Sequence, residues 1–215
     1  SSYWAAQSAV AATKAVLAGD KKAYALCRPP GHHTRKDAAG GFCYINNAAI
    51  AAELLRSQYQ RVVILDTDVH HGQGIQEIFY DRNDVYYIST HGDPTNFYPA
   101  TAGFDDESGA AAGKGFNLNL PIPHGSSEEV FFEHVQIALN TLKDFKPDAL
   151  VLALGFDIYK EDSQSRVAVT TEGFGRLGRE IAALNLPTVV VQEGGYHYDT
   201  LAANTVSFFT GLLGR

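Results

Sequence analysis

Residues 61–71 read RVVILDTDVHH, and the rest of the chain is organised around them. Residues 61–65 form a largely β-branched apolar run, which is typical of a strand buried on both faces of a sheet. Asp66, Asp68 and His70 follow at alternate positions, so a backbone that stayed extended would point all three side chains to one side. Two carboxylates and an imidazole at one place suit a divalent metal ion such as zinc. The alternative is that the acids cap the start of the next helix.

Length and composition limit the class of protein. The chain has 215 residues, of which 45% are hydrophobic, and we expect one α/β domain over residues 1–215. A net charge of −7 argues against a nucleic-acid partner and favours a small cationic substrate. Two cysteines are too few for a disulfide framework, which favours a cytoplasmic location. No apolar run is long enough to predict a membrane span. Methionine is absent, even at position 1, so we expect an N-terminally truncated chain.

Strand-like and helix-like patterns alternate along the chain. Helices are predicted over residues 2–17, 46–57, 72–80, 126–145, 171–185 and 199–213, and strands over residues 23–27, 61–65, 85–89, 116–120, 149–154 and 188–191. This alternation predicts a mostly parallel sheet flanked by helices on both faces. Residues 91–115 form a long irregular loop rich in Gly, Pro, Asp and Ala, and a loop of that length in a compact domain is usually functional.

Four of the predicted strands end in residues that can carry chemistry. These are His32 and His33, residues 66–70, Asp157, and residues 193–196. Because ligands bind beyond the carboxyl ends of parallel strands, we expect the four groups to meet at one edge of the sheet. Each group alone has a structural alternative, such as a helix cap for Asp157 or simple packing for Tyr196.

Five motifs resemble the zinc-dependent histone deacetylase family and occur in that family's order. They are RPPGHH at 28–33, GGFCYINN at 40–47, DTDVHHGQG at 66–74, GFD at 155–157 and EGGY at 193–196. The resemblance covers nearly the whole chain and is closest to bacterial acetylpolyamine amidohydrolases and class II-like deacetylases. It implies an arginase/deacetylase-like fold from which the family's N-terminal segment is missing.

The resemblance also implies a catalytic zinc ion. Asp68, His70 and Asp157 would hold it and leave positions open for water and the substrate carbonyl. His32 and His33 would serve as general base and general acid, and which histidine takes which role is left open.

Two further roles follow from the same resemblance. Asp66 would orient His32 and raise its basicity. Tyr196 would donate its hydroxyl to the developing oxyanion, and glycines 194 and 195 would form a hinge that lets its ring swing in.

Substrate contacts are implied as well. The backbone carbonyl of Gly41 would accept the substrate amide N–H, and Phe42 and Tyr98 would form the two walls of a narrow tunnel. Gln73 stands where histone-directed members commonly carry an acid partner for the second histidine. A neutral amide stabilises an imidazolium less than a carboxylate does, so we expect His33 to be less basic than it would be beside aspartate.

Two potassium sites are implied by the family. The first would use Asp66 and Ser89 with the backbone oxygens of Asp68, His70 and Thr90. The second would use backbone oxygens alone, those of Phe79, Arg82, Val85 and Phe116.

The other candidate residues receive plainer interpretations. We expect His71 to pack beside the site, and four more histidines to lie in loops or at the surface, namely His91, His124, His134 and His197. Glu161 and Asp162, which follow Asp157, are the candidates for an acidic gatekeeper of the substrate.

The sequence therefore predicts a zinc-dependent amidohydrolase that converts N-acetylated amines to acetate and the free amine. Acetylpolyamine is preferred to acetyl-lysine in protein because of Gln73 and the acidic charge balance. The expected partner is a small cationic N-acetylated amine or acetyl-lysine, with no nucleic acid and no membrane, and a homo-oligomer stays open. One alternative is a non-catalytic or inactive acyl-amine-binding fragment. Another is a binuclear manganese ureohydrolase, but His71 and Gly72 stand where further bridging carboxylates would be needed.

Overall fold

The computed structural model describes residues 1–215, and its strands form two parallel sheets. In chain order the strands are β1 (Lys22–Ala25), β2 (Val62–Asp66), β3 (Val85–Gly92), β4 (Asn117–Ile122), β5 (Ser126–Ser127), β6 (Ala149–Leu154), β7 (Val167–Ala168) and β8 (Thr188–Gln192). Six of them form the main sheet in the order β1-β8-β6-β2-β3-β4, and β5 pairs with β7 in a small sheet that the sequence did not predict.

The centre of the main sheet is formed by the two most apolar strands. Every residue of β2 and β6 is buried, because neither strand alternates apolar with polar residues and both faces are covered. The four strands that are followed by candidate site residues are β1, β8, β6 and β2, and they are consecutive neighbours in the sheet. All their pairings are parallel, so their carboxyl ends lie at the same edge, as the sequence predicted.

Helices cover both faces of the sheet. They are α1 (Ser2–Leu17), α2 (Asn47–Leu55), α3 (Gln73–Phe79), α4 (Glu128–Phe145), α5 (Thr171–Ala183) and α6 (Tyr198–Leu213). Val62 and Ile64 of β2 pack into a core with α1, α2 and α3, whereas Val63 and Leu65 pack into a second core with α4, α5 and α6. This alternation confirms the predicted layers. None of the six helices combines the length and the apolar character that a bilayer crossing requires.

The region after β3 departs from the prediction. β3 continues to Gly92 because its ladder with β4 continues, with His91 opposite Pro121 and Gly92 opposite Ile122. His91 is therefore a buried strand residue, and its expected position in a loop or at the surface is wrong. β4 continues through Pro121 to Ile122, past the predicted strand end at residue 120, because β4 lies at the edge of the sheet, where a residue without an N–H is tolerated.

Candidate active site

The backbone stops being extended at Asp66, where β2 ends. Oδ1 of Asp66 accepts the N–H of Asp68 at 3.1 Å, and Oδ1 of Asp68 accepts the N–H of His70 at 2.9 Å. A side-chain oxygen that accepts an N–H two residues later stabilises a turn. The backbone therefore does not stay extended past Asp66: Asp68 and His70 meet through turns, and Asp66 bonds to His32.

A potential metal-binding group forms between two loops at the sheet edge. Asp68, His70 and Asp157 are buried and offer one ligand atom each, and these atoms lie within 4.8 Å of one another. Nδ1 of His70 is 3.0 Å from Oδ1 of Asp68 and 3.1 Å from Oδ2 of Asp157. Burial and the neighbouring charge of Asp68 raise the pKa of Asp157. Two buried carboxylates this close need a cation, and this oxygen and nitrogen donor set suits zinc.

Backbone groups hold the two carboxylates in place. The N–H of Val69 donates to Oδ1 of Asp157 at 3.0 Å, and the N–H of Gly194 donates to Oδ2 of Asp68 at 2.7 Å. A Cβ on Gly194 would overlap the Asp157 carboxylate, so the glycine permits a close approach to the metal-binding group.

His32 lies beside this group, on the loop that follows β1. Its Nδ1 is 3.0 Å from Oδ2 of Asp66, and its Nε2 is 3.8 Å from Oδ1 of Asp68. Burial lowers the pKa of His32, but the carboxylates of Asp66 and Asp68 outweigh burial and raise this pKa well above its ordinary value. His32 is therefore the more readily charged histidine of the pair.

His33 has a different environment, although the two ring centroids are only 3.9 Å apart. Its Nδ1 is 2.7 Å from Oε1 of Gln73, and Nε2 of Gln73 donates to the hydroxyl of Tyr98 at 3.3 Å. Burial and the positive charge of His32 lower the pKa of His33 well below its ordinary value. The structure thus places Gln73 between His33 and Tyr98.

The residues expected to contact substrate surround the histidines. Gly41 has a φ of +53°, and a Cβ on it would overlap the His33 ring. Phe42 is 71% exposed, and its ring centroid is 6.2 Å from that of Tyr196. Tyr98 packs edge-on against His33 at 4.8 Å. Phe42 and Tyr196 therefore line one cavity, whereas Tyr98 lines a second cavity together with His33 and Gln73.

Tyr196 is half-buried, and burial followed by the charges of Asp68 and Asp157 raises the pKa of its hydroxyl. Asp162, in contrast, is buried and accepts the backbone N–H groups of Tyr196 and His197. Both carboxylate oxygens of Asp162 accept backbone N–H groups, which disfavours it as the acidic gatekeeper, whereas the other candidate, Glu161, is exposed.

The sequence analysis did not identify Tyr87 as part of the site. Its fully buried hydroxyl donates to Oδ2 of Asp66 at 3.0 Å and accepts the N–H of Gly72 at 3.1 Å. Asp66 therefore receives hydrogen bonds from both Tyr87 and His32. An aromatic residue inside an apolar strand carries no local signal of this role.

Two more residues were not assigned a role from the sequence. Oε2 of Glu193 accepts the N–H groups of Gly31 and His32 at 2.7 and 3.1 Å, which anchors the loop that carries the histidines. Phe97 stacks on the ring of His70 with centroids 4.8 Å apart. Glu193 could have been suspected, because it is an acid that directly follows a buried strand.

The residues expected at the first potassium site lie on β2, on β3 and in the loop that follows β2. Asp66 and Ser89 are paired neighbours on β2 and β3, and both are fully buried together with Thr90. Ser89 also contacts Nδ1 of His91 at 2.8 Å.

The residues expected at the second potassium site lie around the start of β3. Phe79 ends α3, Val85 begins β3, and Phe116 directly precedes β4. The carbonyl oxygen of Phe79 accepts the N–H of Arg82, and that of Phe116 accepts the N–H of Tyr87. A carbonyl oxygen has a second lone pair, so these bonds leave capacity for a cation.

Comparisons with known proteins agree with this geometry. Residues 1–212 match the family model of the histone deacetylase domain. The chain is 70% identical to an acetylpolyamine amidohydrolase of Burkholderia pseudomallei over 97% of this chain and 61% of that protein. It is 44% identical to acetylpolyamine amidohydrolase 1 of Pseudomonas aeruginosa over 99% of this chain and 62% of the relative. Histone deacetylase HDA1 of Saccharomyces cerevisiae is 37% identical, over 96% of this chain and 31% of HDA1.

Solved structures show the same fold. The crystal structure of acetylpolyamine aminohydrolase from Burkholderia pseudomallei matches with a TM-score of 0.98 at 69% identity, over 98% of this chain and 62% of that chain. The HDA15 HD domain matches with a TM-score of 0.91 at 34% identity, over 98% and 61% of the two chains. This chain thus spans 61% and 62% of the length of the two bacterial relatives. From its motifs, its fold and these matches, the chain belongs to the histone deacetylase family.

Proposed function

We propose that this chain carries the catalytic site of a zinc-dependent amidohydrolase that removes acetyl groups from N-acetylated amines. The observation that carries the proposal is the position of two adjacent histidines beside a buried Asp–His–Asp group, with Nε2 of His32 3.8 Å from Oδ1 of Asp68. Amide hydrolysis needs a Lewis acid, a proton acceptor and a proton donor at one place, and these side chains can supply all three.

Asp68, His70 and Asp157 would hold the zinc ion. Three protein ligands leave at least one position open for exchange, as catalytic zinc sites require. When bound, the ion polarises an amide carbonyl and lowers the pKa of a water molecule.

The two histidines would divide the proton chemistry. His33 is bonded to a neutral amide and has a lowered pKa, so its Nε2 is available to accept a proton from water and pass it to the leaving nitrogen. His32 is held through Nδ1 by Asp66, which favours its charged form. We therefore assign proton transfer to His33 and electrostatic stabilisation to His32.

The remaining contacts would orient the substrate. Tyr196 has a raised pKa, so its hydroxyl keeps its proton at neutral pH and can donate a hydrogen bond to the carbonyl oxygen as that oxygen gains charge. The carbonyl of Gly41 would accept the amide N–H. Phe42 and Tyr98 would flank the aliphatic stem of the substrate and exclude water from it.

For the substrate we favour an acetylpolyamine. Two bacterial relatives, at 70% and 44% identity, are named acetylpolyamine amidohydrolases, and the net charge of −7 suits a polycation. Acetyl-lysine in protein is the second candidate, because HDA1 is 37% identical over 96% of this chain.

We also propose that potassium binds at the two sets of oxygens described above. Support for the first set comes from the burial of Asp66 beside Ser89 on neighbouring strands. The test is thermal unfolding in potassium chloride and in choline chloride at equal ionic strength. A higher midpoint in potassium supports the sites, and equal midpoints contradict them.

The principal experiment combines metal analysis with turnover. The purified chain is loaded with zinc, its metal content is measured, and acetate release is followed from N-acetylputrescine and from an acetyl-lysine peptide. One zinc per chain with faster turnover of N-acetylputrescine supports the proposal, and faster turnover of the peptide supports the second candidate. Zinc binding without acetate release from either compound contradicts amidohydrolase activity in this chain. His33→Ala should abolish turnover, whereas His134→Ala on α4 is the matched control.

A further inference from the structure

The segment that carries Tyr196 is held by a buried carboxylate that the proposed reaction does not use. Asp162 lies in the loop that follows β6 and is 6% exposed. Its Oδ2 is 2.6 Å from the backbone nitrogen of Tyr196 and 2.9 Å from that of His197. Its Oδ1 accepts the N–H of Gln164 at 2.9 Å.

These three hydrogen bonds are the polar contacts that offset the cost of burying the Asp162 carboxylate. The carboxylate forms no ion pair with a lysine, arginine or histidine. A buried carboxylate must be satisfied by donors, so the N–H groups of Tyr196 and His197 cannot move away from it without cost. Two successive N–H groups bonded to one oxygen fix the orientation of the backbone. They therefore also fix the position and direction of the Cα–Cβ bond of Tyr196.

The other end of the segment is also bonded. Gly194 donates its N–H to Asp68 at 2.7 Å, and its carbonyl accepts the N–H of Phe156 at 2.8 Å. Gly195 has a φ of +142°, and a Cβ on it would overlap Phe156. The two glycines thus permit close packing, and Gly195 also permits a positive φ. Hydrogen bonds hold the backbone of the segment on both sides of Gly195. This argues against the expected glycine hinge and leaves side-chain rotation as the motion available to Tyr196.

We propose that Asp162 is a positioning residue for Tyr196: it holds the backbone from which the tyrosine hydroxyl reaches the substrate. The same carboxylate ties the loop that carries Asp157 to the loop that carries Tyr196, so the spacing between metal ligand and hydroxyl donor is kept. This inference rests on the proposed function only in the role it gives to Tyr196, because the bonds themselves are independent of any reaction.

Kinetics of the zinc-loaded chain provide the first test. A misplaced catalytic group costs about 100-fold in rate, so Asp162→Ala should lower kcat about 100-fold with little change in KM. In a Tyr196→Phe background the same change should lower kcat less than about threefold, because the group that Asp162 positions is already gone. An equal loss in both backgrounds, or a loss explained by a lower zinc content, would overturn the proposal.

A spectroscopic measurement tests the inference without turnover. The chain is labelled with 3-fluorotyrosine, and the fluorine NMR signal of Tyr196 is assigned from its loss in Tyr196→Phe. Asp162→Ala should shift or broaden that signal, whereas Asp144→Ala, which removes an exposed acid of α4, should leave it unchanged. Asp162→Asn keeps the size of the side chain and replaces the alanine variant if that variant does not fold. An unchanged Tyr196 signal in a folded Asp162 variant overturns the proposal, whether or not the parent chain releases acetate.

Discussion

Nδ1 of His33 lies 2.7 Å from Oε1 of Gln73, so the second histidine of the site shares its hydrogen with a neutral amide. Its neighbour His32 is bonded to the carboxylate of Asp66 at nearly the same distance, 3.0 Å. Two imidazoles whose centroids are 3.9 Å apart therefore have partners of different charge. This difference favours charge on His32 and neutrality on His33, and it gives each histidine a separate task.

Gln73→Glu tests this difference in charge between the two partners, because it places a carboxylate of the same side-chain length beside His33. A carboxylate favours the imidazolium form, so the pKa of His33 should rise. Because His33 must be deprotonated to accept a proton, the acid limb of kcat/KM against pH should move to higher pH. Gln58→Glu makes the same chemical change at an exposed position and serves as the control. A profile that coincides with that of the parent chain would exclude the pairing as a determinant of activity.

Asp157→Ala should abolish zinc retention. The change removes one of three ligands and leaves Asp68 and His70, which are too few for a stable site. Zinc content after dialysis should fall from one per chain to nearly none, while far-ultraviolet circular dichroism keeps its helical signal. Asp144→Ala should retain zinc. Full zinc occupancy in the Asp157 variant would mean that the metal is held elsewhere.

Tyr196→Phe should keep the fold and the zinc but lose most of the turnover. Removal of one hydrogen-bond donor to a developing oxyanion costs about 3 to 4 kcal/mol, which corresponds to about a 100- to 1000-fold lower kcat. Tyr3→Phe removes an exposed hydroxyl of α1 and should have no effect. Unreduced turnover in the Tyr196 variant would remove its assigned role.

Asp84 provides a prediction for stability that is independent of the site. Hydrogen bonds from Arg82, helped by Arg56, lower the pKa of its carboxyl to about 2. A carboxyl whose pKa is depressed by folding stabilises the folded state above its unfolded pKa of about 3.9, and this contribution is lost as the pH falls toward 2. The Asp84 side chain is 27% exposed, and solvent screens its interaction with the arginines, so the contribution is at most about 1 kcal/mol.

Asp84→Asn should accordingly lower the urea midpoint at pH 7, and the difference from the parent chain should shrink between pH 4 and pH 2. Urea titrations at these pH values measure the difference directly. A constant difference across the range would show that the substitution acts through packing, because a charge effect must follow the titration of the carboxyl.

The layers of the fold could be predicted from local sequence patterns, because a continuous apolar run indicates by itself a strand that is buried on both faces. Residues 62–65 are apolar at every position, and only a strand covered on both faces buries such a run. The motifs likewise contained His32, Asp68 and Asp157, since each lies in the loop that follows a strand. The end of β4 shows the limit of this reasoning. The predicted strand stops at residue 120, but β4 continues through Pro121, and whether a proline is tolerated depends on the strand being at the edge of the sheet.

What the sequence by itself determined is therefore the six helices, the six strands of the main sheet, the reactive residues that follow those strands, and the family. Tertiary structure alone decided which distant residues support that chemistry. Tyr87 reaches Asp66 because β2 and β3 are neighbours, and Glu193 reaches the loop of His32 because β8 lies beside β1. Such contacts depend on strand order and register, which a run of residues in one strand does not encode. Apolar periodicity reports burial within a segment, whereas a hydrogen bond between segments exists only after the sheet has assembled.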